Sequence, residues 1–243
     1  MLAIQTKNLV KEYKNLIAVN KLNLEVEQGE LFSLLGVNGA GKSTTIKMLT
    51  GLAKPSGGDA FVGGYSVREE MEQVKRLIGV SPQETAVAPH LSVKENLELI
   101  CGIYGFSKDR TRTRVEELSK QFALESVIDR RAGKLSGGWQ RRVSIAMALI
   151  GEPRILFLDE PTLGLDVIAR HELWDVIRSL RGKITIILTT HYMEEAEALS
   201  DRVGIMKDGM LLAVGTTEEL KIMSCASDFE SAFVSIVKKG AVW

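Results

Sequence analysis

Four stretches of the chain carry the hydrophobic patterns of β-strands. In LNLEVEQGE, the apolar residues Leu22, Leu24 and Val26 alternate with polar ones, and this alternation predicts a half-buried strand that ends in a turn. The other three stretches are almost continuously apolar and predict strands buried on both faces, as in a parallel sheet. They are ELFSLLG at 30–36, RILFLDE at 154–160 and KITIILTT at 183–190.

Helical patterns separate these stretches. After Asp166, apolar residues recur at intervals of three and four positions, which is the spacing of one helix face. They are Leu173, Val176, Ile177 and Leu180. Buried strands that alternate with helices indicate an α/β domain with a largely parallel sheet.

The middle of the chain, from about residue 84 to residue 152, shows helical patterns only. Ser92 and Glu95 have the spacing of a capping box in front of an apolar series. Two further series follow at helical spacing, Val115, Leu118 and Phe122 first, then Val143, Ala146, Met147 and Ile150. We therefore expect a helical subdomain inserted into the α/β domain.

Two more elements are expected near the C-terminus. Asp208-Gly209 lies between two apolar strands and predicts a β-hairpin. A docked helix is predicted after it, with Ser227 and Glu230 as its cap and an apolar face formed by Phe229, Ala232, Phe233, Ile236 and Val237. The expected division is one domain over 1–220 and a short helical tail over 221–243.

Composition and charge limit the classes of function. The 243 residues include 31 Lys and Arg and 31 Asp and Glu, and this zero net charge argues against a nucleic-acid-binding protein. Cys101 and Cys225 lack metal-ligand or redox spacing, which favours a reducing compartment. No apolar run approaches the roughly 18 residues of a membrane helix, and the charged N-terminus does not resemble a signal peptide.

The segment GVNGAGKSTT has the phosphate-loop pattern G-x-x-x-x-G-K-[ST], between a buried strand and a helical pattern. Glycines at 36, 39 and 41 permit positive φ angles, so backbone N–H groups can close around phosphates. Lys42 is expected to contact the β- and γ-phosphates and Ser43 to offer its hydroxyl to Mg²⁺. The helix N-terminus at Lys42 also favours an anion. The predicted nucleotide contacts are Gly36, Val37, Asn38, Gly39, Ala40, Gly41, Lys42, Ser43 and Thr44.

Two carboxylates follow the apolar stretch at 154–160. Asp159 and Glu160 are expected at the carboxyl end of the sheet, where open α/β folds bind ligands. Asp159 would position Mg²⁺, and Glu160 would polarise an attacking water. With the phosphate loop, the pair indicates nucleotide hydrolysis. A nucleotide kinase would need an acceptor site, and the sequence does not indicate one.

The segment LSGGWQRRVSIAMAL predicts a second phosphate-binding helix end, at Ser136, Gly137 and Gly138. With this segment, the phosphate loop and the Asp-Glu pair, the chain resembles the nucleotide-binding subunits of ATP-binding cassette (ABC) transporters from about residue 4 to residue 220. The resemblance implies an α/β P-loop NTPase (RecA-like) core with an N-terminal antiparallel β part and an inserted α-helical subdomain. One departure is Trp139, where the family usually carries Gln.

The resemblance assigns roles to four more residues. Tyr13 matches an aromatic residue that stacks on adenine, and Asp166 matches the loop that crosses a dimer interface. Gln83 matches a glutamine that contacts Mg²⁺ and the attacking water and couples to a transmembrane partner. His191 matches a histidine that contacts the γ-phosphate. The implied cofactors are ATP and Mg²⁺, and the implied metal contacts are Ser43, Gln83 and Asp159.

The resemblance also implies an assembly of several subunits. Two ABC ATPase subunits, as a homodimer or a heterodimer, would pair head to tail, with each ATP between Lys42 of one and Ser136 of the other. Their cycle would drive a separate transmembrane permease subunit, with this chain peripheral at the cytoplasmic face of the membrane. The string EPTLGLDVIARHELWDVIRSL is closer to the drug, antibiotic and polymer export branch than to nutrient importers.

Two other ABC ATPase classes are alternatives. Soluble ABC ATPases that act on ribosomes usually carry two cassettes in one chain. Chromosome-organising ATPases separate the phosphate loop from the signature by a long coiled coil. This chain has one cassette and no sustained heptad pattern between Lys42 and Ser136, so the transporter interpretation is favoured.

Overall fold

The structure, a computed structural model, describes residues 1–240. Within them the strands are β1 (Leu2–Tyr13), β2 (Leu16–Leu22), β3 (Glu25–Glu27), β4 (Leu31–Leu35), β5 (Gly57–Val62), β6 (Tyr65–Ser66), β7 (Ile78–Ser81), β8 (Ile155–Asp159), β9 (Thr185–Thr190), β10 (Arg202–Lys207) and β11 (Met210–Gly215). The helices are α1 (Lys42–Leu49), α2 (Met71–Leu77), α3 (Val93–Ile103), α4 (Lys108–Gln121), α5 (Gly137–Ala148), α6 (Val167–Leu180), α7 (Met193–Leu199), α8 (Thr217–Ser224) and α9 (Phe229–Lys239). Over these residues, no helix is both long and apolar enough to cross a bilayer.

A six-stranded sheet in the order β11-β10-β4-β9-β8-β7 forms the centre of the fold. Every pairing in it is parallel except that of β10 with β11. Strands β4, β8 and β9 are buried over their whole length, as their apolar sequences predict. The predicted α/β fold with a largely parallel sheet is confirmed.

The two faces of this sheet contribute to different hydrophobic clusters. In β8, Leu156 and Leu158 pack with helices α3 to α6, whereas Phe157 packs with α1 and the N-terminal strands. This division follows from the alternation of side chains along a strand. The central sheet is therefore a layer between a helical layer and the N-terminal β part.

The N-terminal part is an antiparallel sheet in the order β2-β1-β5-β6, with β3 also paired to β1. Leu22, Leu24 and Val26 are buried, as the alternation predicts. The prediction that they share one strand is wrong, because β2 ends at Leu22 and β3 begins at Glu25. At the break, the Leu24 N–H donates to the Thr6 hydroxyl at 2.8 Å rather than to a backbone carbonyl.

Between β7 and β8 the described chain is helical, with α3, α4, α5 and two short 3₁₀ helices. The predicted capping box is present, because Ser92 Oγ accepts from the Glu95 N–H and the Glu95 carboxylate accepts from the Ser92 N–H. Phe122 and Ile150 lie just beyond the ends of α4 and α5 and are buried with the rest of their series. The division into an inserted subdomain stays a prediction.

The C-terminal part contains the predicted hairpin, with positive φ angles at Asp208 (49°) and Gly209 (77°) between β10 and β11. Helix α9 is present and packs on α8 and β10. Its predicted cap is wrong, since Asp228 is the N-cap and its side chain accepts from the Ser231 N–H at 2.8 Å. The predicted boundary at 220/221 falls within α8, and residues 241–243 of the predicted tail lie outside the described residues.

The corrected cap gives a stability prediction. Replacing Asp228 by Ala removes the acceptor for the first turn of α9 and should lower the free energy of unfolding. Ser227→Ala is the matched control, because Ser227 only donates to the Asp228 carboxylate. Urea denaturation of both variants is the measurement. An equal loss for the two variants would show that Asp228 is not the cap.

Candidate nucleotide site

Strand β4 leads directly into the phosphate loop, and α1 begins at Lys42. Gly39 and Gly41 have positive φ angles of 83° and 101°, as predicted. Gly36 does not, so the prediction of a positive φ is wrong for this glycine. A Cβ on Gly36 would lie 2.4 Å from the carbonyl oxygen of Met206, so this glycine permits close approach of two backbones instead.

The ammonium group of Lys42 lies within this loop and is buried, since the residue is only 5% exposed. Its Nζ donates to the carbonyl oxygen of Gly36 at 2.6 Å and of Val37 at 3.3 Å. Glu160 Oε1 lies 3.4 Å from the same Nζ. The first N–H groups of α1 have no intrahelical acceptor and point towards the same loop. The loop therefore concentrates positive charge and free donors, which fits a polyphosphate.

Asp159 ends strand β8 and is held by two hydroxyl groups. Ser43 Oγ donates to Asp159 Oδ1 at 2.9 Å, and Thr189 Oγ1 donates to the same atom at 2.5 Å. Hydroxyl and carboxylate oxygens are the donors that Mg²⁺ prefers, so the residues present fit this ion. The predicted metal contacts Ser43 and Asp159 are thus adjacent, on two different elements.

Glu160 and His191 meet at the carboxyl edge of the sheet. The Nδ1–H of His191 donates to Glu160 Oε2 at 2.5 Å, since a carboxylate can only accept. Glu160 is 5% exposed, and its backbone is left-handed, with a φ of 49°. Because its other oxygen lies near Lys42, one carboxylate contacts both predicted phosphate-binding side chains.

A cavity of about 640 Å³ surrounds the phosphate loop. Its lining includes the predicted residues Tyr13, Gln83, Glu160 and His191. Tyr13 is 43% exposed, so one face of its ring can receive a base, while the Lys11 ammonium lies 4.7 Å from the ring centroid. Residues that the sequence does not predict as part of the site complete the lining, among them Leu16, Ile17, Ala18, Asp208 and Gly209.

The remaining predicted residues form a second group outside this cavity. Ser136 is the N-cap of α5, with no hydrogen bond from its side chain to the helix, and it is exposed with Gly137. Asp166 caps α6 by accepting from the Ala169 N–H at 2.9 Å. A Cβ on Gly138 would lie 3.1 Å from that of Ala169, so the two helix starts are neighbours.

Trp139, at the departure from the usual signature, packs on the helical core. Its ring is partly buried, and the Arg142 guanidinium lies 4.9 Å from the ring centroid. Ser136, Gly137 and Gly138 keep their place at the helix end beside it. Trp139 therefore contributes packing and a cation–π contact rather than a phosphate contact.

Three polar residues near the site are missed by the sequence patterns. Thr189 connects the Asp159 carboxylate to the backbone of Glu160, since its hydroxyl donates to Asp159 Oδ1 and accepts from the Glu160 N–H at 3.0 Å. Arg141 reaches the loop that carries Gln83. Glu195 is fully buried on α7 and accepts from Trp174 Nε1 at 3.1 Å. Burial raises the pKa of the Glu195 carboxyl above its ordinary value.

The fold and this site define an ATP-binding cassette, and the chain belongs to the ABC transporter family, whose model matches residues 19–163. The chain is 44% identical over 220 residues to the daunorubicin/doxorubicin resistance ATP-binding protein DrrA of Streptomyces peucetius, covering 90% of this chain and 67% of that protein. It is 43% identical over 219 residues to the Nod factor export ATP-binding protein I of Burkholderia orbicola, covering 89% and 72%.

Solved structures agree with this assignment. An ATP-binding subunit of an ABC transporter superposes with a TM-score of 0.85 at 30% identity, over 96% of this chain and 99% of that one. A dimeric cassette in a post-hydrolysis state with ADP and phosphate gives a TM-score of 0.79 at 29% identity, over 88% and 98%. The predicted family and an ATP-binding ATPase domain are confirmed. By contrast, the chain spans only 23% of a plant member, ABC transporter A family member 9 of Arabidopsis thaliana.

The raised pKa of Glu195 gives a pH-dependent prediction. From about pH 4.5, the carboxyl is ionised in the unfolded chain but keeps its proton in the folded one. The unfolded state therefore binds fewer protons, and this group's contribution to stability is lost as the pH rises through the folded pKa. The stability of Glu195→Gln relative to the wild type should rise with pH, by at most about 1.4 kcal/mol per pH unit.

Denaturant unfolding at a series of pH values tests this prediction. Glu194→Gln is the matched control, because the Glu194 side chain is 82% exposed on the same helix. The same pH dependence in both variants would contradict burial of Glu195 as the cause.

Proposed function

We propose that this chain binds and hydrolyses ATP as one subunit of an export transporter, and that the ATPase cycle drives a separate transmembrane permease. The observation that carries the proposal is the cavity around the phosphate loop, where Glu160 contacts both Lys42 and His191. The names of two relatives, a drug resistance protein and a Nod factor export protein, support export over import.

In this proposal the triphosphate lies along the start of α1. Lys42 is already beside the loop carbonyls, and it reorients towards the β- and γ-phosphate oxygens, while the N–H groups of the loop donate to the same chain of phosphates. Tyr13 stacks on the adenine at the far end of the cavity, beside Leu16 and Ile17. The predicted nucleotide contacts from Gly36 to Thr44 keep these roles.

Ser43, Gln83 and Asp159 would hold Mg²⁺, since their side chains offer hydroxyl, amide and carboxylate oxygens next to the phosphate loop. A bound Mg²⁺ supplies positive charge that offsets the negative charge of the phosphates during transfer. Thr189 keeps Asp159 in place from the other side.

Glu160 is proposed as the group that orients the attacking water and accepts its proton. His191 holds one oxygen of this carboxylate through Nδ1, which leaves the other oxygen directed towards Lys42 and the cavity. The same imidazole is close enough to the cavity to contact the γ-phosphate. This assignment gives Lys42, Gln83, Glu160 and His191 the catalytic roles.

The second group of residues leads to a dimer. Ser136, Gly137, Gly138 and Asp166 are predicted to bind nucleotide but lie outside the cavity of their own chain. A second ABC ATPase placed head to tail would receive them at its own phosphate loop. The dimeric cassette among the solved relatives supports this arrangement. The co-purification experiment described next also identifies the second subunit, as a copy of this chain or as a different ABC ATPase.

The proposed assembly places the chain at the cytoplasmic face of the membrane, with a domain over 1–220 and a helical tail after it. The test is to tag the chain, solubilise native membranes gently and identify the proteins that co-purify. A multi-span membrane protein in stoichiometric amount is the expected result. Ribosomal proteins without a membrane partner would instead favour the soluble ABC ATPase class.

Removing the carboxylate of Glu160 should stop hydrolysis without removing ATP binding. Glu160→Gln keeps the size of the side chain, so ATP hydrolysis should fall at least about 100-fold. The dimer should then accumulate with ATP, because the step that opens it is blocked. Light scattering with saturating Mg-ATP is the measurement, and a monomer under these conditions would contradict the proposal.

The control for this experiment removes ATP binding instead. Lys42→Ala takes away a positive contact of the phosphates and should weaken ATP affinity in a titration. Added to Glu160→Gln, it should return the protein to a monomer at the same ATP concentration. Unchanged nucleotide affinity in Lys42→Ala would show that the loop does not bind phosphate as proposed.

A further inference from the structure

Helix α5 is joined along one face to the end of β7 and to the segment that follows it. Arg141 donates from Nη1 to the carbonyl oxygen of Pro82 at 2.6 Å and from Nη2 to that of Gln83 at 2.5 Å. One turn along α5, the hydroxyl of Ser144 lies 3.0 Å from that of Ser81. The helix that begins at Ser136 therefore contacts the backbone of Gln83 directly.

The close packing of β7 on α5 supports this connection. A Cβ on Gly79 would lie 2.2 Å from the carbonyl oxygen of Ala148, so strand and helix are in backbone contact at the far end of α5. With the contacts of Arg141 and Ser144, this approach fixes the segment at several points along the helix. A displacement of α5 would be transmitted to Gln83 through packed and hydrogen-bonded atoms rather than through solvent.

Arg141 is placed for this task rather than for a surface ion pair. The residue is 4% exposed, and its guanidinium donates to two backbone carbonyls, whereas the neighbouring Arg142 pairs with the Glu172 carboxylate. Burial lowers the pKa of the Arg141 guanidinium, while Asp159 and Glu195 favour its charged form. A buried, planar fork with two fixed acceptors has little freedom to move independently of them.

We propose that Arg141 is a positioning residue for ATP hydrolysis. It holds the backbone of Gln83 to α5, and it thereby connects the two parts of one chain that face nucleotides, Gln83 and the start of α5 at Ser136. This inference rests on the proposed function, in which Gln83 serves one nucleotide and Ser136 serves another. Arg141 touches neither nucleotide. It makes the position of Gln83 depend on the position of the helix end at Ser136.

The first test is a double-mutant cycle on steady-state ATP hydrolysis. Arg141→Gln should lower kcat about tenfold with little change in KM, because Gln83 is misplaced while the phosphate loop is intact. In a Gln83→Ala background the same substitution should lower kcat less than about twofold, since the residue it positions is gone. An unchanged kcat, or the same tenfold loss in both backgrounds, would overturn the proposal.

Arg114 provides a matched control. It also donates to two backbone carbonyls, those of Leu149 and Ile150, just beyond the other end of α5. Arg114→Gln removes a comparable interaction without touching Gln83, so it should leave kcat and its dependence on Gln83 as in the wild type. A loss of kcat equal to that of Arg141→Gln would indicate a general effect on α5 and overturn the positioning role.

Hydrogen exchange tests the same inference without hydrolysis. Arg141→Lys keeps the charge but not the fork, which protects the fold while breaking one of the two contacts. Amide exchange over residues 83–88, in which the Ala88 N–H donates to Asn96 Oδ1, should become faster in Arg141→Lys and stay unchanged in Arg114→Gln. Unchanged exchange in Arg141→Lys would overturn the proposal. If the proposed function itself fails, the wild type does not hydrolyse ATP, and the exchange result still decides whether Arg141 holds the segment.

Discussion

The buried ammonium group of Lys42 is the constraint on which the site depends. A charge removed from water is costly unless fixed partners compensate it, and here they are the Gly36 carbonyl and the Glu160 carboxylate. Since Glu160 is in turn held by His191, one chain of contacts runs from the phosphate loop through the end of β8 to the end of β9. Three neighbouring strands of the parallel sheet must keep their register for this chain to form.

The same strands explain how much could be predicted from sequence. Strands β4, β8 and β9 are buried on both faces, so each is an almost continuously apolar run in the sequence. Each is followed directly by a part of the predicted site, namely the phosphate loop, Glu160 and His191. Strand β7 was not predicted, because its sequence IGVS is short and contains a glycine. This glycine is required by the close approach of Ala148, which is far along the chain but adjacent in the fold. At the break between β2 and β3, the Leu24 N–H donates to the hydroxyl of Thr6, a partner that lies 18 residues away in the sequence.

The candidate site divides in the same way. The phosphate loop, Asp159 and Glu160 were predictable because the residue types and their spacing specify the chemistry. The reason why residue 36 must be a glycine could not be predicted. The backbone of Met206, on another strand, comes so close that a side chain would not fit. Thr189 and Arg141 were missed because a threonine in a buried strand and an arginine in an amphipathic helix are ordinary residues. Their importance comes from partners that are close only in the folded chain.

Glu160 combines a catalytic side chain with an unusual backbone. A φ of 49° is a conformation that glycine and asparagine adopt readily and β-branched residues almost never do. A residue substituted at this position must therefore meet two requirements. Its backbone must adopt the left-handed conformation, and its side chain must perform the chemistry. Valine, isoleucine and threonine would not meet the backbone requirement. Loss of activity in those variants would therefore not distinguish the missing carboxylate from a disturbed turn after β8.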